Sequence, residues 1–283
     1  MNAAELYARL EKDFILPGMT DEWARYMQPI ADFLTDNYKE RSMGLVCDNA
    51  AEIDRVYTAV FPSRPVMQSL IDSDVRNALL FVHHPSIWDI RNAPAVWQVM
   101  DREQLGRFRE RNISIYNLHV PLDNFSEYST SASLARLLDI TDLTPFYEYF
   151  GGVAAVFGKT EYSTIHELRD RFAAEMGHET SLYRYGSEAI TGNRVAVVAG
   201  GGNIPDLLAE IADAGVNVLV TGITVNRGAA EQSHDFAREK GINIMGGTHY
   251  TTEKPACVAM CAYFKKLGLP AGFIEGVPVL EDL

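Results

Sequence analysis

Between Arg194 and Thr221 the chain reads as strand, glycine-rich turn, helix and strand in immediate succession, and this unit restricts the fold more than any other feature. Arg194–Ala199 is a run of small and β-branched residues, Gly200-Gly201-Gly202-Asn203 breaks it, and Ile204–Ala214 places apolar residues at helical spacing before Val216–Thr221 returns to a strand. Two strands joined by a helix lie parallel, and a parallel sheet is buried on both faces. The alternation continues with a helix over Ala229–Lys240, a strand over Ile242–Met245 and a last helix over Lys254–Leu267.

The first half repeats the theme. Arg55–Phe61, Ala78–Val82 and Ile113–Leu118 read as strands, with a helix over Gln98–Glu110. Helical patterns also cover 3–14 and 21–38, the second opening at Thr20-Asp21 with N-cap character. After a helix over Thr130–Leu138 the pattern loosens through Asp139–Tyr149, then gives a strand over Gly151–Gly158 and a helix over Thr164–Glu175. The expected class is α/β, with mostly parallel or mixed sheets in two interlinked domains, 1–126 and 127–283, the C-terminal segment returning to the first.

A net charge of −13, from 25 basic and 38 acidic residues, argues against a nucleic-acid partner. Arg102, Arg107, Arg109 and Arg111 are interleaved with acids and fit a solvated helix face. The opening MNAAELYARLEKDF lacks the basic and apolar regions of a secretory signal, and no run is apolar enough for a membrane helix, so no membrane partner is expected. Cys47, Cys257 and Cys261 do not form a disulfide framework and read as packing residues. The cytoplasm is the expected compartment.

The chemistry gathers where predicted strands end. His83-His84-Pro85 follows Ala78–Val82; on a regular strand the two rings would point to opposite faces, but at a strand end before proline they can converge. His119-Val120-Pro121-Leu122-Asp123 follows Ile113–Leu118. Asp123 offers an oxygen to an ion that imidazoles also bind, while His119 can be ligand, supporting donor or proton carrier. Gly246-Gly247-Thr248-His249-Tyr250-Thr251-Thr252-Glu253 follows Ile242–Met245. One helical turn would place His249 and Glu253 on the same face, and Pro255 suggests a helix capped by Thr251 or Thr252. A carboxylate at a helix N-terminus is favourable in any case, so Glu253 alone is ambiguous. Four of the 7 histidines occupy these positions. Together His83, His84, Asp123, His249 and Glu253 can hold two divalent ions about 3.5–4 Å apart if one group bridges them. His166, His178 and His234 lie on polar stretches and are expected at the surface. The Gly200–Gly202 turn can cradle an anion, although a tight strand-to-helix turn without a ligand explains it equally well.

These three motifs, HHP, H-x-P-L-D and GTHYTTEKPA in that order, resemble the signature of the NIF-three-like family, whose bacterial members are often described as GTP cyclohydrolase type 2 homologues. The resemblance runs from about Gly44 onward. It implies a NIF-three-like fold with the metal site at the junction of two α/β domains, and a homohexamer with metals facing a central cavity. It also implies that His83, His84, Asp123, His249 and Glu253 are ligands, that Glu253 bridges, and that His119 stands beside the ions. Two stretches depart from the family pattern. Its W-D-N-x-G-L appears only as Arg41-Ser42-Met43-Gly44-Leu45, and the acid and histidine expected after the strand ending at Gly222 are missing from Ile223-Thr224-Val225-Asn226-Arg227.

The expected function is that of a metal-dependent hydrolase acting on a small phosphorylated or nucleotide-like substrate, with His119 moving the proton. A metal carrier or a regulatory scaffold without turnover are the competing readings. Mixed imidazole and carboxylate donors suit zinc, iron, manganese, cobalt or nickel rather than magnesium.

Overall fold

The computed structural model describes residues 1–228 and 230–283. The chain divides into two compact units that exchange segments. The first comprises Met1–Leu122, Phe150–Gly152 and Cys257–Val277, and the second Asp123–Tyr149, Val153–Ala256 and Pro278–Leu283.

In the first unit, α1 (Ala3–Phe14) and α2 (Asp36–Arg41) lead into β1 (Gly44–Cys47) and β2 (Arg55–Ala59). Then come α3 (Arg64–Asp72), β3 (Ala78–Val82), a short ribbon of β4 (Ile87–Trp88) and β5 (Trp97–Gln98), α4 (Arg102–Glu110) and β6 (Ile113–Asn117). The sheet order is β1-β6-β3-β2 and then β13 (Ala271–Phe273), which arrives from the far end of the chain. β6, β3, β2 and β13 are parallel, and β1 is antiparallel at one edge. Every residue of β3 and β6 is buried, as central strands covered on both faces must be. Leu80 and Val82 pack with Val66, Leu70 and Phe108 of the flanking helices. Phe81, on the alternate face, meets Phe264 edge-on at 5.5 Å between ring centroids.

The stretch 21–38 departs from the single helix expected. It forms two 3-10 turns, Trp23–Tyr26 and Gln28–Phe33, before α2 begins. Pro29 accounts for the break: it sits in the first turn of the second segment, and inside a continuous helix its ring would collide with the carbonyl four residues back. Asp21 does not cap a helix. Its Oδ1 accepts from the next residue's N–H, at 2.8 Å, which leaves Oδ2 for the role described below.

The second unit follows with α5 (Val120–Asp123, mostly the last residues of the first unit), α6 (Thr130–Leu137), β7 (Thr141–Tyr149), β8 (Gly152–Lys159) and α7 (Ile165–Met176). It continues through β9 (Ser181–Tyr183), β10 (Arg194–Val197), α8 (Pro205–Asp213), β11 (Val218–Thr221), α9 (Ala230–Lys240) and β12 (Asn243–Gly246) to α10 (His249–Lys266). Ala229, the first residue of the helix expected there, lies outside the described residues. The sheet order is β7-β8-β10-β11-β12-β9, with β10, β11 and β12 parallel. β8 and β9 pair antiparallel on either side of them. Period-two alternation sorts side chains onto two faces. Val195, Val197, Val218 and Val220 join the cluster of Leu168 and Phe172, whereas Ala196, Leu219 and Ile244 join that of Leu208 and Ile211. The stretch 141–149, which looks irregular in sequence, is an edge strand, where Pro145 costs no interior ladder bond.

α10 begins five residues before the Lys254 start expected and carries Pro255 within it. The Thr248 hydroxyl accepts from the Thr251 N–H at 3.2 Å, and the Thr251 hydroxyl accepts from the Thr248 N–H at 3.0 Å. This reciprocal cap fixes the helix start. Pro255 then removes one backbone bond from a helix already capped upstream. Among the described residues no helix is long and apolar enough to cross a membrane.

Candidate metal centre

In the first unit, the polypeptide continues the sheet ladder past the end of β3. The His83 and His84 N–H groups donate to the carbonyls of Ala59 and Val60, at 3.3 and 2.9 Å. Both histidines are buried, at 0% and 1% exposure. His83 Nδ1 lies 2.9 Å from the Leu118 carbonyl. A carbonyl only accepts, so Nδ1 carries the proton and Nε2 of the neutral ring keeps the lone pair that a metal needs. Asn117 donates from its side chain to the His83 carbonyl and accepts from the Tyr38 hydroxyl at 3.2 Å. Burial pushes the Tyr38 phenol well above its ordinary pKa, so it stays a donor.

His119 follows β6, on the strand beside β3. Its Nδ1 is 2.9 Å from Asp21 Oδ2, and both side chains are almost buried. By the same logic the carboxylate fixes the proton on Nδ1 and turns Nε2 into the acceptor. Ring centroids are 4.4 Å apart for His83–His84, 5.2 Å for His83–His119 and 4.8 Å for His84–His119. One nitrogen from each of the three rings can be chosen so that all lie within 4.8 Å of one another. His119 is therefore an intimate member of the imidazole group rather than a bystander. Trp23 meets His84 and His119 edge-on at 5.5 and 5.1 Å, and Phe61 stacks on His84 at 5.0 Å. These aromatic walls lower the local dielectric and fix the ring planes.

In the second unit, His249 opens α10 and Glu253 lies one turn on, both buried at 4% and 3% exposure. His249 Nε2 and Glu253 Oε1 are 3.0 Å apart, so helical periodicity does bring the two donors together. The His249 N–H donates to Asp282 Oδ2 at 2.9 Å, which ties the helix start to the last turn of the chain. Gly200, at the end of β10, lies against the pair. A Cβ there would stand 2.2 Å from Glu253 Oε1 and 3.2 Å from the His249 ring, and its φ of +71° is itself a glycine conformation. Asp123 is half-buried and accepts from the Thr130 hydroxyl at 2.7 Å.

Two N–H groups of the glycine turn are engaged within the second unit. The Gly200 and Gly202 N–H groups donate to the hydroxyls of Thr252 and Thr221, each at 3.0 Å. The Gly200 carbonyl accepts from the N–H groups of Gly222 and Ile223. Asp21 and Asp282 are the residues that sequence reasoning missed. Neither stands near its partner in the chain, and no local pattern marks either. His234 also departs from expectation, being fully buried instead of at the surface. Its Nε2–H donates to the Thr224 carbonyl at 2.9 Å and its Nδ1 lies 2.9 Å from the Tyr185 hydroxyl, so it is a structural histidine whose pKa burial lowers. Cys47 is inert, its thiol pushed up to about 12 by burial.

Interlinked α/β units whose strand ends present buried imidazoles and a buried imidazole–carboxylate pair define a class of candidate metal-binding proteins. The chain belongs to the Duf34/NIF3 (NGG1p interacting factor 3) family, whose model matches residues 21–276. It is 30% identical over 217 residues to a Yersinia pestis protein named GTP cyclohydrolase 1 type 2 homolog, covering 75% of this chain and 79% of that one. A protein of the same name from Archaeoglobus fulgidus is 28% identical over 257 residues, covering 89% and 97%. Among solved structures, the fold resembles protein ybgI, of unknown function, with a TM-score of 0.74 and 23% identity across 99% of this chain and 100% of that one. It also resembles reduced HcgD from Methanocaldococcus jannaschii, with a TM-score of 0.69 and 20% identity across 98% of each chain.

Proposed function

We propose that His83, His84, Asp123, His249 and Glu253 hold two divalent ions, and that the loaded protein hydrolyses a small phosphorylated or nucleotide-like substrate. The observation that carries this reading is the fixed tautomer of His83. A backbone carbonyl on Nδ1 is how proteins commonly prepare Nε2 for a metal, and this ring is buried where an idle imidazole would gain little. The donor chemistry fits zinc, iron, manganese, cobalt or nickel, with no thiolate in the set. Bound ions would supply Lewis acidity and a more acidic water at the site.

The chain's own residues divide the remaining work. His83 and His84 are held by the continued ladder of β3, which fixes their backbone. Glu253, on the first turn of α10, would be the bridging carboxylate, and Gly200 leaves the room that carboxylate needs. His119, oriented by Asp21, is assigned to proton transfer, since an imidazole held by a carboxylate on Nδ1 can take a proton on Nε2 and pass it on. A homohexameric assembly belongs to the same proposal and is checked by light scattering.

The test is elemental analysis and a phosphatase and nucleotide hydrolysis screen on wild type and Glu253→Gln. The variant is expected to lose metal and turnover together. Turnover that survives complete metal removal rejects the hydrolytic reading. Ready release of the ions to an acceptor protein, without turnover, favours a carrier.

A further inference from the structure

The chain contains 3 tryptophans; Trp23 and Trp97 lie against the imidazoles of the first unit, and Trp88 lies against Trp97. Trp23 stands edge-on to His84, Trp97 lies 5.0 Å from the same ring at a 36° tilt, and Trp88 is 5.0 Å from Trp97. Trp23 and Trp97 themselves meet at 4.6 Å. Trp23 is a core residue, at 6% exposure. Trp88 and Trp97 are not: both are half-buried, and they face each other as a cross-strand pair of the β4–β5 ribbon.

That ribbon is only two residues long on each strand, and the turn joining its strands is exposed at 91–95. So short a ribbon has little stability of its own. Indoles are large and seldom fully buried even where they pack, and Trp97 itself packs against the core of the first unit. Here two of them keep part of their surface in solvent, Trp97 against the His84 ring and Trp88 against Trp97. Large rigid aromatic faces at partial exposure are what planar rings stack on, and such stacking tolerates any base because every base has a π-face.

We propose that the Trp88–Trp97 ribbon is a stacking platform that selects substrates carrying a planar aromatic ring, a nucleobase or similar heterocycle, for the neighbouring metal centre. The inference rests on the metal-centre reading above and narrows its substrate class. The competing explanation, that the indoles merely wall in the histidines, predicts no preference for a ring.

The experiment is equilibrium dialysis of metal-replete protein against AMP, GMP, CMP and ribose 5-phosphate, with intrinsic fluorescence followed in parallel. Because the three tryptophans are the entire indole complement, the emission reads this region alone. Wild type is expected to bind the nucleotides at least tenfold more tightly than ribose 5-phosphate and to show quenching with the nucleotides only. In Trp88→Leu/Trp97→Leu that preference should fall about tenfold, while metal content and the affinity for ribose 5-phosphate stay as in wild type. Equal binding of nucleotides and ribose 5-phosphate by wild type, or no nucleotide binding at all, overturns the platform whether or not the double variant folds. Metal content, measured on the same samples, keeps the two ideas apart. Two equivalents of metal with no ring preference sinks only the platform, whereas no metal sinks the centre.

Discussion

The imidazole group of the first unit and the His249–Glu253 pair of the second reach similar burial by opposite means. His83 and His84 are adjacent in sequence, and it takes a strand end, a backbone ladder and a carbonyl from Leu118 to hold them. His249 and Glu253 are four residues apart, and α10 aligns them by its own period, needing only a capped start and the clearance at Gly200. The first arrangement depends on tertiary neighbours and the second mainly on local helix geometry. Perturbations should therefore act differently on the two.

The largest effect is expected at Gly200. Gly200→Ala would push a Cβ into the Glu253 carboxylate and impose a positive φ on a residue with a side chain. A loss of about 3 kcal/mol in urea unfolding is expected, together with loss of metal. An unchanged midpoint and metal content would show that the pair tolerates far more movement than its packing suggests.

Next comes Asp21→Ala, which removes the carboxylate from His119 Nδ1. Loss of such a supporting partner typically costs about 10- to 100-fold in metal affinity or activity. If His119 moves protons, turnover falls while metal content holds, and the acid limb of the pH–rate profile moves. If metal is lost instead, His119 is a ligand and its assignment to proton transfer is wrong.

Thr248→Ala should be milder, costing about 1 kcal/mol for a lost N-cap. Because α10 aligns the pair, the readout to compare is metal affinity against thermal midpoint. A drop in the midpoint with no change in affinity would show that His249 and Glu253 are held by packing rather than by the cap.

The smallest effect concerns His234, whose pKa burial holds below the ordinary histidine value. As pH falls, the unfolded chain takes up the proton first, so the native state loses stability. Its contribution is complete above about pH 6.5 and declines as pH drops through the lower folded value. The thermal midpoint should fall on acidification, and His234→Gln should flatten part of that slope. An unchanged slope would remove His234 as a titrating core group.

The same contrast explains what could be read from the sequence. Strand ends carrying His83, His84 and His119 were legible because β3 and β6 are unbroken apolar runs that stop at those residues. The His249–Glu253 spacing was legible because helical period is a local property. The start of α10 was not, because Pro255 ordinarily marks a first turn, whereas here the reciprocal Thr248–Thr251 cap sets the boundary upstream. The partners of the site were least legible. Asp21 reaches His119 across 98 positions and Asp282 reaches His249 across 33, and neither separation leaves a periodic trace. Polar neighbours disguised the burial of His234, since its partners Tyr185 and Thr224 also lie on other elements.

The measurement that bears most directly on the metal centre is elemental analysis of wild type purified without added metal, beside His83→Ala and Glu253→Gln. Two equivalents of a transition metal per chain in wild type, with a marked loss in both variants, is the expected result. It would mean that both arrangements, one tertiary and one helical, take part in holding metal. Wild type that retains no metal when supplied with zinc, iron, manganese, cobalt or nickel would contradict the account at its base.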